Sequence, residues 1–256
     1  MKILTIALFS FKELVRKKDF YVLFLLLAGL LVFLFSESFF GVSDIIRYLK
    51  DIGLSAVLFL SIAIALPFSS RQLPAEIESK TIYPLLSKPV SRADVVIGKY
   101  AGSLLISFGA FTLFYAVFLL AIIMKGGHIG VLFMQAYLFS LLLLAVLCAF
   151  SLLFSIFLTI SANITITLFL YILTYWFSAQ IKSLLLSEDL NKIAGALLNG
   201  VYYLIPHFEF YDLRVRLVHG WEALPAWIVS SIALYTVIYI AAILFLAVRV
   251  FKKKNL

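Results

Sequence analysis

Apolar residues in this chain come in blocks long enough to cross a bilayer, and that spacing restricts the fold before any other property does. About 30 Å of hydrocarbon, crossed at ~1.5 Å per helical residue, needs roughly 17 to 25 mainly apolar residues. Six segments qualify: 20–36, 53–69, 100–124, 132–157, 164–181 and 227–250. A soluble alternative fails on composition, because 64% of the 256 residues are hydrophobic and 13% charged, against about 25% charged in ordinary globular chains. A chain of 28.8 kDa has too little interior to hide such blocks in one aqueous core. The expected fold is all-α: a polytopic membrane protein with six transmembrane helices in a single domain over residues 1–256. The first block reads as a retained anchor, since Ser36, Glu37, Ser38 and Phe39 form no small-residue cleavage site.

An even number of spans puts both termini on one side, and basic residues identify that side. The N-terminal tail, the 70–99 loop and the C-terminal tail together hold 14 of the 21 Lys and Arg. Their acids are Glu13, Asp19, Glu76, Glu78 and Asp94, which leaves +9 there and −1 on the opposite side. The positive-inside rule therefore makes the termini and the 70–99 loop cytoplasmic, with the chain multi-pass in the plasma (inner) membrane. The same rule accounts for the net charge of +8 without nucleic acid. In residues 1–18, Ile3, Leu4, Leu8, Phe11 and Val15 fall near one helical face with a basic end. That pattern suits a helix lying among lipid headgroups, a solvated basic tail being the alternative. In the outer loop, 182–226, apolar residues from Leu190 to Ile205 recur at helical spacing until Pro206, predicting a short re-entrant or capping helix.

Several chemistries lack their residues. Spans three to six carry no Asp, Glu, Lys, Arg or His in their central parts, which disfavours a proton- or ion-coupled carrier. No catalytic set is visible: Ser103, Ser107, Ser151 and Ser155 are intramembrane hydroxyls without an intramembrane His, and read as helix-bonded or packing groups. His128, His207 and His219 are too widely spaced for a metal motif and read as structural or solvated. Cys148, the lone cysteine, allows no internal disulfide. Gly98 and Lys99 superficially suggest a phosphate loop, but Ala93 and Tyr100 stand where Gly and Ser/Thr are required. If ATP powers this protein, another chain binds it. Gly98, Gly102 and Gly109, with Ser103, Ser107 and Ala110, allow close helix approach.

The informative stretch runs from Arg71 to Lys99. Pro74 suits a first helical position, and Glu76 and Glu78 then occupy an initial turn where the helix dipole favours acids. Pro84 ends or bends that helix. Beyond Pro89, Ser91 and Asp94 have capping-box spacing ahead of Val95, Val96 and Ile97, so a new helix starts there and feeds into span three. Such a connector could carry motion from a soluble partner into the bundle, or be an ordinary amphipathic link.

This stretch resembles the permease subunits of ATP-binding-cassette (ABC) exporters of the six-helix, type-2 family. The likeness rests on Glu76, Ile77, Glu78, Thr81 and Ile82, on 85–92 (Leu-Leu-Ser-Lys-Pro-Val-Ser-Arg), and on Gly98 and Lys99. It is nearest to the permeases grouped with the nitrous-oxide-reductase maturation transporter. Weaker agreement comes from 12–16 and from 204–212, and Lys80 departs from the family, which often has Gly before the Thr. The resemblance implies a permease paired with a second copy or paralogue and bound to two cytoplasmic nucleotide-binding ATPase subunits. Those subunits would hold ATP and Mg, with no cofactor, metal or catalytic residue in this chain. It further implies that the segment from Arg71, with Glu76, Glu78 and Thr81, is the coupling helix, and that substrate passes largely along spans two and five. An ATP-independent carrier or channel, or a membrane scaffold, are the alternatives.

Topology is directly measurable. With Cys148 replaced, a cysteine at Lys88 is expected to react with a membrane-impermeant thiol reagent from the cytoplasmic side alone, and one at Asp189 from the outer side alone. Labelling of both from one side would rule out six spans.

Overall fold

A computed structural model describes residues 25, 29, 45–74, 91–185, 200 and 205–253. Among these residues every regular element is helical, and five helices are long and apolar enough to cross a membrane. They are α1 (Ile45–Arg71), α2 (Arg92–Met124), α3 (Val131–Phe154), α4 (Ile160–Leu185) and, after a 3-10 turn at Phe208–Tyr211 and the short α5 (Arg214–His219), α6 (Ala226–Lys253). Of the expected first span, Leu25 and Gly29 are described, and both are helical. The expected helix over 1–18 lies outside the described residues. So does most of the helix expected over 190–205, of which Gly200 is helical and Ile205 is not.

The helices run further than hydropathy alone indicates. α1 starts at Ile45 rather than 53 because a helix satisfies its own amides beyond the hydrocarbon, whereas an apolar window stops at Arg47, Lys50 and Asp51. α2 starts at Arg92, where the capping box forms as its spacing predicts. Ser91 Oγ accepts from the Asp94 amide at 3.1 Å, and Asp94 Oδ2 accepts from the Ser91 amide at 3.0 Å. At the other end α2 stops in a turn whose Gly126 takes φ 76°, a conformation open to glycine at little cost. Inside α1, Pro67 removes one rung of the backbone ladder, and Ser70 Oγ donates to the Pro67 carbonyl at 3.0 Å one turn later.

α3 is the centre of the bundle: 67% of its spanning window is buried, against 17% for α4 and for α6. α1 and α2 make the most extensive pairing, with Gly98, Gly102, Ser103 and Ser107 of α2 all buried. A polar seam ties both to α3. Ser69 Oγ donates to the Cys148 carbonyl at 3.1 Å, Tyr100 Oη to the Ala145 carbonyl at 3.1 Å, and Ser107 Oγ lies 3.2 Å from Cys148 Sγ. Phe111, Phe114, Phe118 and Phe139 are fully buried in this core. Three of the intramembrane serines are helix-bonded: Ser103, Ser107 and Ser155 donate to carbonyls of Lys99, Ser103 and Leu152 on their own helical stretch, whereas Ser151 Oγ is buried without a hydrogen-bond partner among the described residues.

Two further pairs fix the ends. Arg92 donates to the Phe251 and Lys252 carbonyls at 3.1 and 3.0 Å, joining the start of α2 to the end of α6. At the opposite end Gln135 exchanges two hydrogen bonds, 2.7 and 2.8 Å, with the Leu224 backbone just before α6. The spanning helices thus alternate in direction, with a basic end carrying Arg71, Arg92, Lys252 and Lys253 and a cap end carrying α5.

Removing the cap of α2 gives a direct test of this entry point. Ser91→Ala is expected to destabilise the detergent-solubilised protein by about 0.5 to 2 kcal/mol, and Ser91→Asn, which keeps an acceptor, by much less; thermal melting measures both.

Candidate functional site

At the cap end, α1, α3, α4 and the 3-10/α5 segment surround a cavity of about 230 Å³. Helical periodicity determines which residues reach it. α1 supplies Ser55, Leu58, Phe59 and Ile62, spaced so that they share one side of the helix, and α4 supplies Tyr171 and Tyr175 at i, i+4. Leu143 comes from α3, and the cap segment adds Phe208, Tyr211, Asp212 and Arg214. Most of this lining is apolar, with its charged groups gathered at one side.

Those charged groups form a clasp. Arg214 Nη1 donates to Ser55 Oγ at 2.9 Å, its Nε lies 3.5 Å from Asp51 Oδ1, and its Nη2 lies 3.7 Å from Asp212 Oδ2. Asp212 Oδ2 also accepts from Tyr175 Oη at 2.7 Å, and Asp212 Oδ1 from the Arg214 amide at 2.9 Å. One guanidinium therefore holds the cap segment to α1, while the Asp212 carboxylate holds it to α4. Tyr211 Oη, 2.8 Å from Thr236 Oγ1, adds a link to α6, and burial pushes that phenol up to about 12. Gly220, at φ 66°, closes α5 in the left-handed conformation, and the Trp221 amide then donates to the Arg216 carbonyl at 3.0 Å.

The histidines are dispersed. His128 is exposed in the α2–α3 turn, and His219 Nδ1 lies 3.2 Å from Arg47 Nη2 while its ring stacks on Trp221. His207 is buried, with its ring stacked on Phe210 at 5.1 Å, and burial draws its pKa below the ordinary imidazole value. Among the described residues no three His, Cys, Asp or Glu side chains converge as a metal site would require.

Of the four residues assigned to partner coupling, Arg71 is the exposed last residue of α1. Gln72 and Leu73 form a turn, and Pro74 is helical again, as its first-position preference predicts. Glu76, Glu78 and Thr81 lie outside the described residues, so their juxtaposition with Arg71 is not given by the fold.

A family model described as "ABC-2 family transporter protein" matches residues 4–256. The chain belongs to that family. It is thus a multi-pass permease, the membrane component of an ABC transporter. No curated protein matches the chain. In this ABC-2 permease the cavity falls on α1 and α4, the helices that correspond to the second and fifth expected spans. Sequence reasoning missed its polar clasp, because Ser55 and Arg214 are 159 positions apart and neither lies in a recognisable motif. The available signal was local: an Asp and an Arg two residues apart, directly after the family-like stretch that ends at Asp212.

Cutting the clasp should loosen the cap. The Arg214 and Asp51 side chains are 37% and 53% exposed, so their pair is worth at most about 1 kcal/mol. Arg214→Ala is therefore expected to raise amide hydrogen exchange across 205–219 by roughly fivefold, with α2 and α3 unchanged. Unchanged exchange in the cap would show that the clasp does not hold it.

Proposed function

We propose that this permease is one half of a dimeric exporter, driven by ATP hydrolysis in separate cytoplasmic ATPase subunits that bind ATP and Mg. The observation that carries this reading is the ABC-2 family match across residues 4–256, together with a chain that has no phosphate-binding loop of its own. The export direction rests on the likeness of residues 76–99 to permeases of the nitrous-oxide-reductase maturation group. The +9 balance supports a cytoplasmic location for the basic end, for both termini and for the 70–99 segment, in a plasma (inner) membrane crossed six times, the first crossing being 20–36.

The described geometry supplies a physical route for coupling. α2 is one continuous 33-residue helix that begins at the capping box of Ser91 and Asp94, next to the 70–90 segment. Arg92 ties this start to the end of α6, so a displacement of the segment acts on two spanning helices together. α1 enters the same segment from its other side through Arg71 and Pro74. On this reading Arg71, Glu76, Glu78 and Thr81 meet the ATPase, and substrate moves along α1 and α4, where the cavity lies.

Glu76 separates docking from simple helix stabilisation by magnitude. A helix-dipole role is worth about 0.3 to 1 kcal/mol, too little to remove a subunit. Loss of a desolvated, hydrogen-bonded charge at a protein interface costs about 2 to 5 kcal/mol, or roughly 30-fold or more in affinity. Glu76→Ala is expected to leave permease abundance unchanged while sharply reducing ATPase co-purification and transport-stimulated hydrolysis, all measured on one preparation. Wild-type values of all three would return Glu76 to a helix-end role. ATP hydrolysis by the purified chain alone would overturn the division of labour itself.

A further inference from the structure

The cavity at the cap end has a composition that selects a ligand class. Tyr171, Tyr175, Phe208 and Tyr211 form a connected aromatic series: Tyr171 lies 6.4 Å from Tyr175 and 5.3 Å edge-on from Phe208, which lies 6.4 Å from Tyr211. Aromatic faces carry negative quadrupole charge and attract organic cations, above all those whose hydration is weak. The formal charge beside them points the same way. Among the described residues, the Asp212 carboxylate lines the cavity, and the Arg214 guanidinium beside it is engaged by Asp51 through Nε, by Ser55 through Nη1 and by Asp212 through Nη2, with Asp51 itself standing outside the lining. Arg47, Lys50 and Arg216 stand outside the lining, against His219, the Phe133 ring and Trp221. The remaining wall, Leu58, Ile62 and Leu143, is hydrocarbon. Its volume, about 230 Å³, compares with the ~150 Å³ cavity that accepts benzene, so it has room for a small headgroup and one short chain.

We propose that this cavity binds a small organic ammonium ion bearing a single short apolar chain, with the ammonium among the aromatic rings beside Asp212 and the chain against Leu58, Ile62 and Leu143. The assignment rests on reading the chain as a permease whose cargo travels along α1 and α4. An anionic headgroup would meet the Asp212 carboxylate and a guanidinium already held by Asp51, Ser55 and Asp212, and a neutral isostere would gain nothing from the ring faces.

The test is calorimetric titration of the full-length permease in uncharged maltoside micelles with butyltrimethylammonium, its neutral tert-butyl isostere and butyl sulfate. Saturable binding of the ammonium, at least tenfold tighter than either analogue, is expected. Tyr171→Leu, which keeps an apolar wall but removes a ring face, should weaken binding about tenfold. Asp51→Asn with Asp212→Asn should do the same, and Leu143→Trp, which fills the cavity, should abolish it; melting curves check that each variant is folded. Equal affinity for butyl sulfate, or binding unaffected in the folded Tyr171→Leu and Leu143→Trp proteins, would overturn the site. Displacement of the ammonium by excess choline-headgroup lipid would assign the cavity to a membrane lipid and overturn the free-ligand assignment. ATPase co-purification is measured on the same wild-type preparation. Absent ammonium binding with the ATPase retained refutes the cavity assignment alone, whereas absent ATPase with binding retained refutes the transporter assembly instead.

Discussion

Hydrocarbon offers no hydrogen-bond partner, so a polar group placed in it is costly unless the protein satisfies it, and the helical architecture follows from that demand, with the buried Ser151 hydroxyl as an exception. Backbone groups meet it by forming helices. Side chains meet it in two ways. Ser61, Ser103 and Ser140 donate to carbonyls four residues back on their own helices. Ser69 and Tyr100 instead donate to carbonyls of α3, and so convert a solvation requirement into interhelical attachment. Asn163 does the same in the α3–α4 hairpin, donating to the Ser151 carbonyl at 2.8 Å while its own oxygen accepts from Thr167 at 3.1 Å. Because apolar side chains gain little by leaving lipid for one another, these few polar links help to specify which helices are neighbours, and the buried Gly98 and Gly102 leave room for a neighbour to approach.

Charge is accordingly confined to the two ends, and the ends differ in character. Among the described residues the basic end carries Arg71, Arg92, Lys252 and Lys253. At the cap end Arg214, Asp51, Asp212 and Tyr175 are knitted into one network beside a cavity. On the proposed reading, with ATPase subunits at the basic end and cargo at the cap end, this difference in charge suits the two tasks.

Length and apolarity made the spanning helices legible in the sequence, and the α2 boundary was legible to the residue because Ser91 and Asp94 encode it locally. Pro74 was legible for the same reason. Helix ends set by charged residues were not, as α1 shows: Arg47, Lys50 and Asp51 end the hydrophobic pattern without ending the helix. The cavity itself was not legible in the sequence. Its clasp depends on Asp51, Ser55, Tyr175, Asp212 and Arg214 meeting from three separated segments, and pairing of that kind is decided by the tertiary packing of α1, α4 and the cap, which leaves no periodic trace. The residues assigned to coupling, by contrast, were found by likeness, and beyond Arg71 the fold neither joins nor separates them.

The length of α2 has a consequence for the membrane itself. Thirty-three residues at ~1.5 Å each extend for about 50 Å, well beyond the ~30 Å hydrocarbon layer. Its apolar part, from Tyr100 to Met124, also exceeds that thickness, so the helix leans or the bilayer stretches around it. Bilayer thickness thereby acts on the helix that starts beside the 70–90 segment, and lipid composition becomes a mechanical input to the same element, alongside any soluble subunit.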